Sequence, residues 1–324
     1  MVVVYCLRGV GPGYYLMAEM GKKQYDWAYK LGFLNGRRYV RRINQINDFK
    51  YYPVTFNKLI EKSLLTQNSI RTPQMLGYLS ASRGRTCDGL ALKTATDLRT
   101  LLEHIDANKL CFKLVSGYGG AGFRVVELTK NGEHVALRDI SAQRRYSIEE
   151  YFAELDIHEG GGYLLEHYFD QHPVISALNP SSVNTLRIMV YRAADDELPH
   201  CIGVYLRIGR SGAVVDNGSV GGIAAKVDLA SAKLGAATYA ATRAHKFTHH
   251  PDTGAPIEGV EVPLLSDAVA LALEALDVFP GINYGVFDVA VGESEPAIIE
   301  LNARADYVDF SIMNIPSRTA LCKD

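Results

Sequence analysis

Residues 111–128, CFKLVSGYGGAGFRVVEL, read as a strand, a glycine loop and a second strand. Gly117, Gly119 and Gly122 satisfy the G-x-G-x-x-G spacing of dinucleotide folds, but there the loop must open a helix. Here FRVVEL follows, β-branched and strand-like, so the loop joins two strands. No GxxxxGK[ST] occurs anywhere, which excludes the phosphate-loop nucleotide triphosphatases. Protein kinases also cover a nucleotide with a glycine hairpin, yet they carry their lysine after it and need HRD and DFG motifs, both absent. In this chain the lysine comes first. Cys111, Lys113 and Val115 alternate onto one strand face, so the Lys113 amine can reach beneath the loop toward a phosphate. Taken alone, such a hairpin is more often a tight turn than a flap.

Downstream, VFDVAVGESEPAIIELN reads as two strands joined by a turn containing Gly292 and Pro296. Glu300 and Asn302 stand at i and i+2, on one strand face, and a hairpin would put Asp288 opposite them. Two carboxylates and an amide oxygen suit a hard cation such as Mg²⁺. The alternative, exposed polar residues on an edge strand, fits poorly with the apolar neighbours of Glu300.

Elsewhere, residues 14–48 read as a helical preface with a break at Gly36, and Arg37, Arg38, Arg41 and Arg42 fall on one helix stripe. That stripe suits an acidic partner or lipid headgroups, or simply a solvated face. FNKLIEKSLLTQNSI predicts an amphipathic helix, RTPQMLGYLS an extended segment, and residues 97–110 a second helix. Strands are predicted at YLLEHY, TLRIMVY, HCIGVYLRIG and IAAKVDL, and a helix at LSDAVALALEALDVF. Three parts are expected: a helical segment at 1–50, a lobe at 51–165 with the glycine loop, and a lobe at 166–324 with the acidic trio. His172, His245, His249 and His250 are assigned to loop roles in preference to a metal.

The 324 residues suit two domains or two lobes. With 48% hydrophobic and 22% charged residues, the chain is neither disordered nor fibrous. A net charge of −2, and basic residues that do not interleave with the 19 tyrosines, speak against a nucleic-acid partner. No apolar run is long enough to span a membrane. Arg8 interrupts the apolar start, so no cleaved signal peptide and a cytoplasmic location are expected. Five dispersed cysteines, none in a CxxC pair, predict reduced thiols.

Together, FNKLIEKSLLTQNSIRTP, CFKLVSGYGGAGFRVVEL, YLLEHYF, NTLRIMVYR, DNGSVGGIAAKVD and GVFDVAVGESEPAIIELN resemble the ATP-grasp superfamily, in order and at workable spacing. EHYFDQHPVISALNPSSVNTLRIMVYR, HHPDTGAPIEGVEVP and FDVAVGESEPAIIELN are most similar to its sugar-transfer-associated branch, relatives of α-L-glutamate ligases. The resemblance covers residues 51–309. It implies an α+β protein of ATP-grasp fold, two α+β lobes clamping ATP, preceded by the helical segment. Lys58 and Lys113 would hold the α- and β-phosphates under the loop 116–122 (Ser116, Gly117, Gly119, Gly120, Gly122). Glu166, His167, Tyr168 and Phe169 would form the adenine hinge, with Glu166 or Asp170 near the ribose. Asp288, Glu300 and Asn302 would carry two Mg²⁺ ions. Arg187 and Arg207 would face the transferring phosphate, with Lys226 counted among the catalytic residues. Asn184, Asn217, Gly221, Gly222 and Arg304 would line the acceptor side.

The implied reaction is an ATP-dependent carboxylate–amine ligation through an acyl phosphate, on an amino acid, peptide or sugar acid. A phosphotransferase acting on a sugar hydroxyl is the alternative, and a non-catalytic nucleotide-binding module a third. A homodimer is compatible with the sequence. Only about fifty mostly helical residues precede Lys58, where many ATP-grasp ligases have a full α/β domain. Part of the acceptor site is therefore expected to be missing, reshaped or supplied by a partner.

Overall fold

The computed structural model describes residues 1–117, 119–131, 134–158, 161–194, 196–240 and 245–322. Helices α1 (Val2–Arg8), α2 (Pro12–Met17), α3 (Trp27–Leu31), α4 (Gly36–Ile46), α5 (Tyr52–Phe56) and α6 (Lys58–Gln67) precede the first strand. Residues 14–48 are not one interrupted helix. Asp26 and Asn35 each start a new one, their side chains accepting the Tyr29 and Arg38 N–H groups at 2.8 and 3.0 Å. Gly36 therefore opens α4 instead of breaking a helix.

The first sheet holds β1 (Met75–Leu79), β2 (Arg85–Thr86), β3 (Lys109–Leu114), β4 (Arg124–Asn131), β5 (His134–Asp139), β6 (Arg144–Tyr146) and β7 (Tyr163–His167). Their antiparallel order is β2-β1-β7-β3-β4-β5-β6. Helices α7 (Ala95–His104) and α8 (Ile148–Glu154) cover one face. The helix expected at 97–110 is α7, shifted and shortened: a Thr94/Asp97 capping box starts it early, and Leu110 already belongs to β3.

The second sheet holds β8 (Leu186–Tyr191), β9 (His200–Ile208), β10 (Ile223–Lys226), β11 (Ala237–Tyr239), β12 (Lys246–Phe247), β13 (Tyr284–Val291) and β14 (Pro296–Asn302), in the order β12-β11-β10-β9-β8-β13-β14. Between the sheets runs the short α9 (Pro173–Ser176); α10 (Leu265–Asp277), α11 (Asp309–Ile312) and α12 (Ser317–Leu321) complete the described chain. Every residue of β13 is buried because both faces of this sheet are covered. On one side Phe287, Val289 and Val291 pack with α10; on the other Tyr284, Val286 and Met189 pack with the N-terminal helices and Phe310. That second face is only partly covered, and the uncovered part looks toward the first sheet.

Candidate active site

Four residues stand in one row across the second sheet: Tyr205 pairs with Arg187, Arg187 with Asp288, and Asp288 with Glu300. Directly opposed residues of antiparallel strands share a face, so all four project from the uncovered region. Arg187 Nη1 donates to Asp288 Oδ1 at 3.0 Å, and its Nε to Asp309 Oδ2 at 3.1 Å. Arg207 donates to the other Asp288 oxygen at 3.0 Å and contacts Asp216 at 2.9 Å. The Thr185 amide and hydroxyl fix Asp216 at 2.9 and 2.6 Å, and the Tyr205 hydroxyl donates to Asp309 at 2.9 Å. Burial pushes the Asp216 and Asp309 carboxyls up, opposed by Arg207 and Arg187 respectively. The arginines thus have few usable rotamers, the condition for pre-organised charge.

The edge of β14 is closed by α6 and the segment that follows it. Arg71 O accepts the Ile298 N–H at 2.8 Å, Thr72 Oγ1 donates to Ile298 O at 2.8 Å, and Glu61 accepts the Leu301 N–H at 2.9 Å. An edge strand's backbone groups are thereby satisfied by side chains and loop. One turn earlier on α6, Lys58 reaches Gly117 O at 2.8 Å and lies 3.7 Å from Glu300. Lys62 and Lys113 meet the fully buried Glu166 from two sides, at 3.1 and 2.5 Å. Burial opposes charge on Glu166, but the Lys113 and Lys62 ammoniums outweigh it and hold its pKa below the usual carboxylate range. Burial drives the Lys62 pKa down against the pull of Glu166.

Glu61 is the opposite case. It is buried, its second oxygen has no hydrogen-bond partner, and burial followed by the Glu300 charge pushes its pKa up to about 8. A carboxyl with a raised folded-state pKa holds a proton that the unfolded chain releases near the ordinary value of 4.5. Its contribution to stability is fully present below that value and is lost as pH rises through about 8. Glu61→Gln keeps the acceptor for Leu301 and cannot ionise. Its Tm, followed from pH 5 to 9, is expected to fall less than that of the native chain; parallel curves would contradict this reading.

Both clusters face a cavity of about 700 Å³ between the sheets. Its wall includes Lys58, Lys113, Gly117, Gly119, Gly120, Glu166, His167, Tyr168, Phe169, Arg187, Arg207, Asn217, Asp288, Glu300 and Asn302, so most of the expected site converges there. Lys109 lies over the Tyr168 ring, 3.8 Å from its centroid. A Cβ at Gly120 would come within 3.2 Å of Val215, and one at Gly119 within 3.4 Å of Asn217, so the glycine loop rests against the loop that carries Asp216. Both glycines hold positive φ, a conformation that L side chains rarely adopt. Tyr118, within the expected loop, lies outside the described residues.

Several expected residues sit elsewhere. Asn184 is buried away from the cavity wall; its amide donates to Asn179 O at 2.9 Å and its oxygen accepts the Gly209 N–H at 3.0 Å. It fastens two loops together. Gly221 and Gly222 shape the turn behind Asp216, where a Cβ at Gly222 would come within 2.5 Å of Asp216 O. Lys226 is exposed on β10, Ser116 and Asp170 are exposed, Gly122 packs on Leu114, and none of these lines the cavity. Glu166, expected near a ribose, is instead locked between two lysines. Arg304 lines a separate, smaller groove.

The histidines hold loops. His172 caps α9, accepting the Val174 N–H at 3.1 Å, His250 bridges Gly209 O at 2.9 Å and the Thr253 N–H at 3.2 Å, and His245 packs against Tyr239 and Phe247. His249 Nδ1 lies 3.1 Å from the neighbouring Thr248 hydroxyl. Among the described residues no three acidic, histidine or cysteine side chains form a metal cluster. The oxygen groups on the cavity wall that the sequence marks for a hard cation are Asp288, Glu300 and the Asn302 amide, with Asp288 already engaged by two guanidiniums. Four carboxylates (Asp216, Asp288, Asp309, Glu300) face two guanidiniums and the Lys58 ammonium. That excess of negative charge, with Glu300 half-buried and only loosely paired, fits a divalent cation.

The family model for sugar-transfer associated ATP-grasp proteins matches residues 37–323, and the chain belongs to that family. ATP-grasp enzymes bind ATP. Among solved structures, D-alanine–D-alanine ligase from Bacillus anthracis is similar over 78% of this chain and 58% of its own, at 16% identity and a TM-score of 0.39. N5-carboxyaminoimidazole ribonucleotide synthetase from Thermotoga maritima is similar over 88% and 57%, at 12% identity and 0.42. Biotin carboxylase from Campylobacter jejuni is similar over 81% and 43%, at 14% identity and 0.46. The chain thus spans less than two thirds of the length of these structures. No curated protein matches it.

Proposed function

We propose that the chain is an ATP-dependent carboxylate–amine ligase that works through an acyl phosphate. The supporting observation is the convergence of Lys58 and Lys113 with Arg187, Arg207, Asp288, Glu300 and Asn302 on one cavity. In this reading the sheet carrying Lys113 and the glycine loop is the upper lobe, the sheet carrying the arginine and carboxylate row the lower, and ATP lies between. His167, Tyr168 and Phe169 face the base; Lys58 and Lys113 face the phosphates, with Glu166 behind Lys113 as its counter-charge.

A carboxylate oxygen of the acid attacks the γ-phosphorus, and the bond to the ADP oxygen breaks. An amine nitrogen then attacks the acyl carbon, the carbon–oxygen bond to phosphate breaks, and the nitrogen loses its proton. Phosphoryl transfer needs positioning and neutralisation of charge spread over three oxygens, and that is what the lysines and the braced guanidiniums supply. Asp288, Glu300 and Asn302 would hold Mg²⁺, which supplies further neutralisation at the transferring phosphate. The glycine loop, resting on Val215 and Asn217, would keep water from the acyl phosphate.

The phosphotransferase reading shares these groups, since all of them account for ATP and metal and none for an amine. Phosphorus NMR of Mg-ATP incubated with pooled amino acids, sugar acids and short peptides separates the two. Inorganic phosphate and ADP appearing together support the ligase; a stable new phosphomonoester would replace it with the kinase.

A further inference from the structure

The N-terminal helices hold the chain beyond Asn302 by alternate carbonyls. The Asn47 amide donates to Ala303 O at 3.0 Å, the Tyr39 hydroxyl to Ala305 O at 3.0 Å, and the Tyr14 hydroxyl to Tyr307 O at 3.0 Å. Ala303 and Ala305 are buried by this grip, while the alternating residues Arg304 and Asp306 are left exposed. A groove of about 410 Å³ opens there, walled by Tyr39, Val40, Ile43, Phe56 and Tyr307. Asp306 lines both this groove and the main cavity, so the two spaces adjoin at one carboxylate. The N-terminal segment also contributes Met17 to the main cavity.

The groove pairs apolar surface with a waiting cation. Val40 is 39% exposed and Phe56 37%, although both are large apolar side chains. The Arg304 guanidinium lies over the Tyr52 ring, 5.6 Å from its centroid, which gives it a defined seat. Among the described residues it forms no ion pair, whereas Arg187 and Arg207 in the main cavity each bind two carboxylates. Arg37 and Arg41, one turn apart on α4 and flanking Val40 in sequence, are likewise exposed and without ion pairs among the described residues. Asp306 accepts the Val308 N–H with one oxygen at 3.1 Å, which fixes its orientation.

We propose that this groove binds the co-substrate that meets the activated phosphate, and that this molecule is an organic anion with an apolar body. Its anionic end lies on Arg304, its apolar part against Val40, Phe56 and Tyr307, and its reacting end passes Asp306 into the main cavity. The assignment of the molecule as co-substrate rests on the ligase reading; the binding chemistry of the groove does not. In this assignment the helical segment, through Tyr39, Val40, Ile43 and Phe56, supplies a wall of the acceptor site.

The probe is anilinonaphthalenesulfonate, an aromatic sulfonate, titrated into the full chain with excess Mg-ADP present to fill the main cavity. A saturable fluorescence increase is expected. Its Kd should rise by about ten-fold or more in Arg304→Gln, the loss of one charge-assisted contact, and stay near the native value in Arg304→Lys. Val40→Glu, which puts a negative charge on the exposed wall, should abolish the site while Tm is unchanged. An affinity identical in all four proteins would overturn the proposal. If no acid and amine turn over but the variants follow this pattern, the ligase reading fails and the groove stands; turnover with Arg304-independent probe binding and KM sinks the groove alone.

Discussion

Replacing Glu300 by glutamine is expected to reduce turnover by about 10²- to 10³-fold or more, the range seen when one charge-stabilising group is removed from an active site. Glu300 is the least encumbered carboxylate of the row: among the described residues its ion-pair partner is Lys58 at 3.7 Å, and a third of its side chain is exposed. The amide has the same shape, so the register with Asp288 and the backbone bond from Leu301 to Glu61 survive. Stability should change by no more than about 0.5 kcal/mol. Asp288 gives a contrasting result, because Asp288→Asn also unlocks Arg187 and Arg207 and should lower Tm along with activity. A Glu300→Gln protein with a near-native rate would refute the metal-side assignment. Rates at saturating Mg-ATP together with thermal melts check both parts.

Lys113→Met should produce the largest loss of stability. Glu166 is fully buried and its charge is compensated by two lysines; removing the closer one leaves a carboxylate in the interior with Lys62 alone. Breaking a buried pair in this way costs about 3–5 kcal/mol. The Lys113 ammonium, whose pKa Glu166 holds above its usual value against burial, also faces the cavity, so Mg-ATP binding should weaken by about 10- to 100-fold. Adding Glu166→Gln removes the uncompensated charge and should restore part of the stability but none of the nucleotide affinity. Urea denaturation and nucleotide titration of the single and double variants separate the two effects. Equal loss in both would mean that Lys113 acts through the fold alone.

Much of this arrangement was legible because strand alternation fixes which side chains share a face. The spacing of Glu300 and Asn302 and the hairpin to Asp288 predicted one end of the row on the second sheet, while the pairings that add Arg187 and Tyr205 were not read; the strand after Gly122 predicted the loop's architecture. The partners of those residues were not legible. Asp309 and Asp216 reach the arginines from a short helix and a loop, across separations that no local pattern encodes. Glu61 and Lys62 read as the polar side of an amphipathic helix, yet both are buried because α6 lies along the open edge of β14. Asn184 and Gly222 carried a resemblance to acceptor-site positions, while their contacts are with the loops that support the site. The stripe from Arg37 to Arg42 divides in the fold: Arg42 donates to Leu321 O at 2.8 Å, and Arg37, Arg38 and Arg41 remain exposed.

The central claim is that ATP activates a carboxylate. Hydroxylamine trapping tests it most directly: the chain is incubated with Mg-ATP, pooled amino acids, sugar acids or short peptides, and hydroxylamine, with Glu300→Gln as the blank. A hydroxamate that forms with one pool, in step with ADP and absent from the blank, is the predicted result. ADP released in response to a pool with no hydroxamate from any acid would contradict acyl-phosphate chemistry.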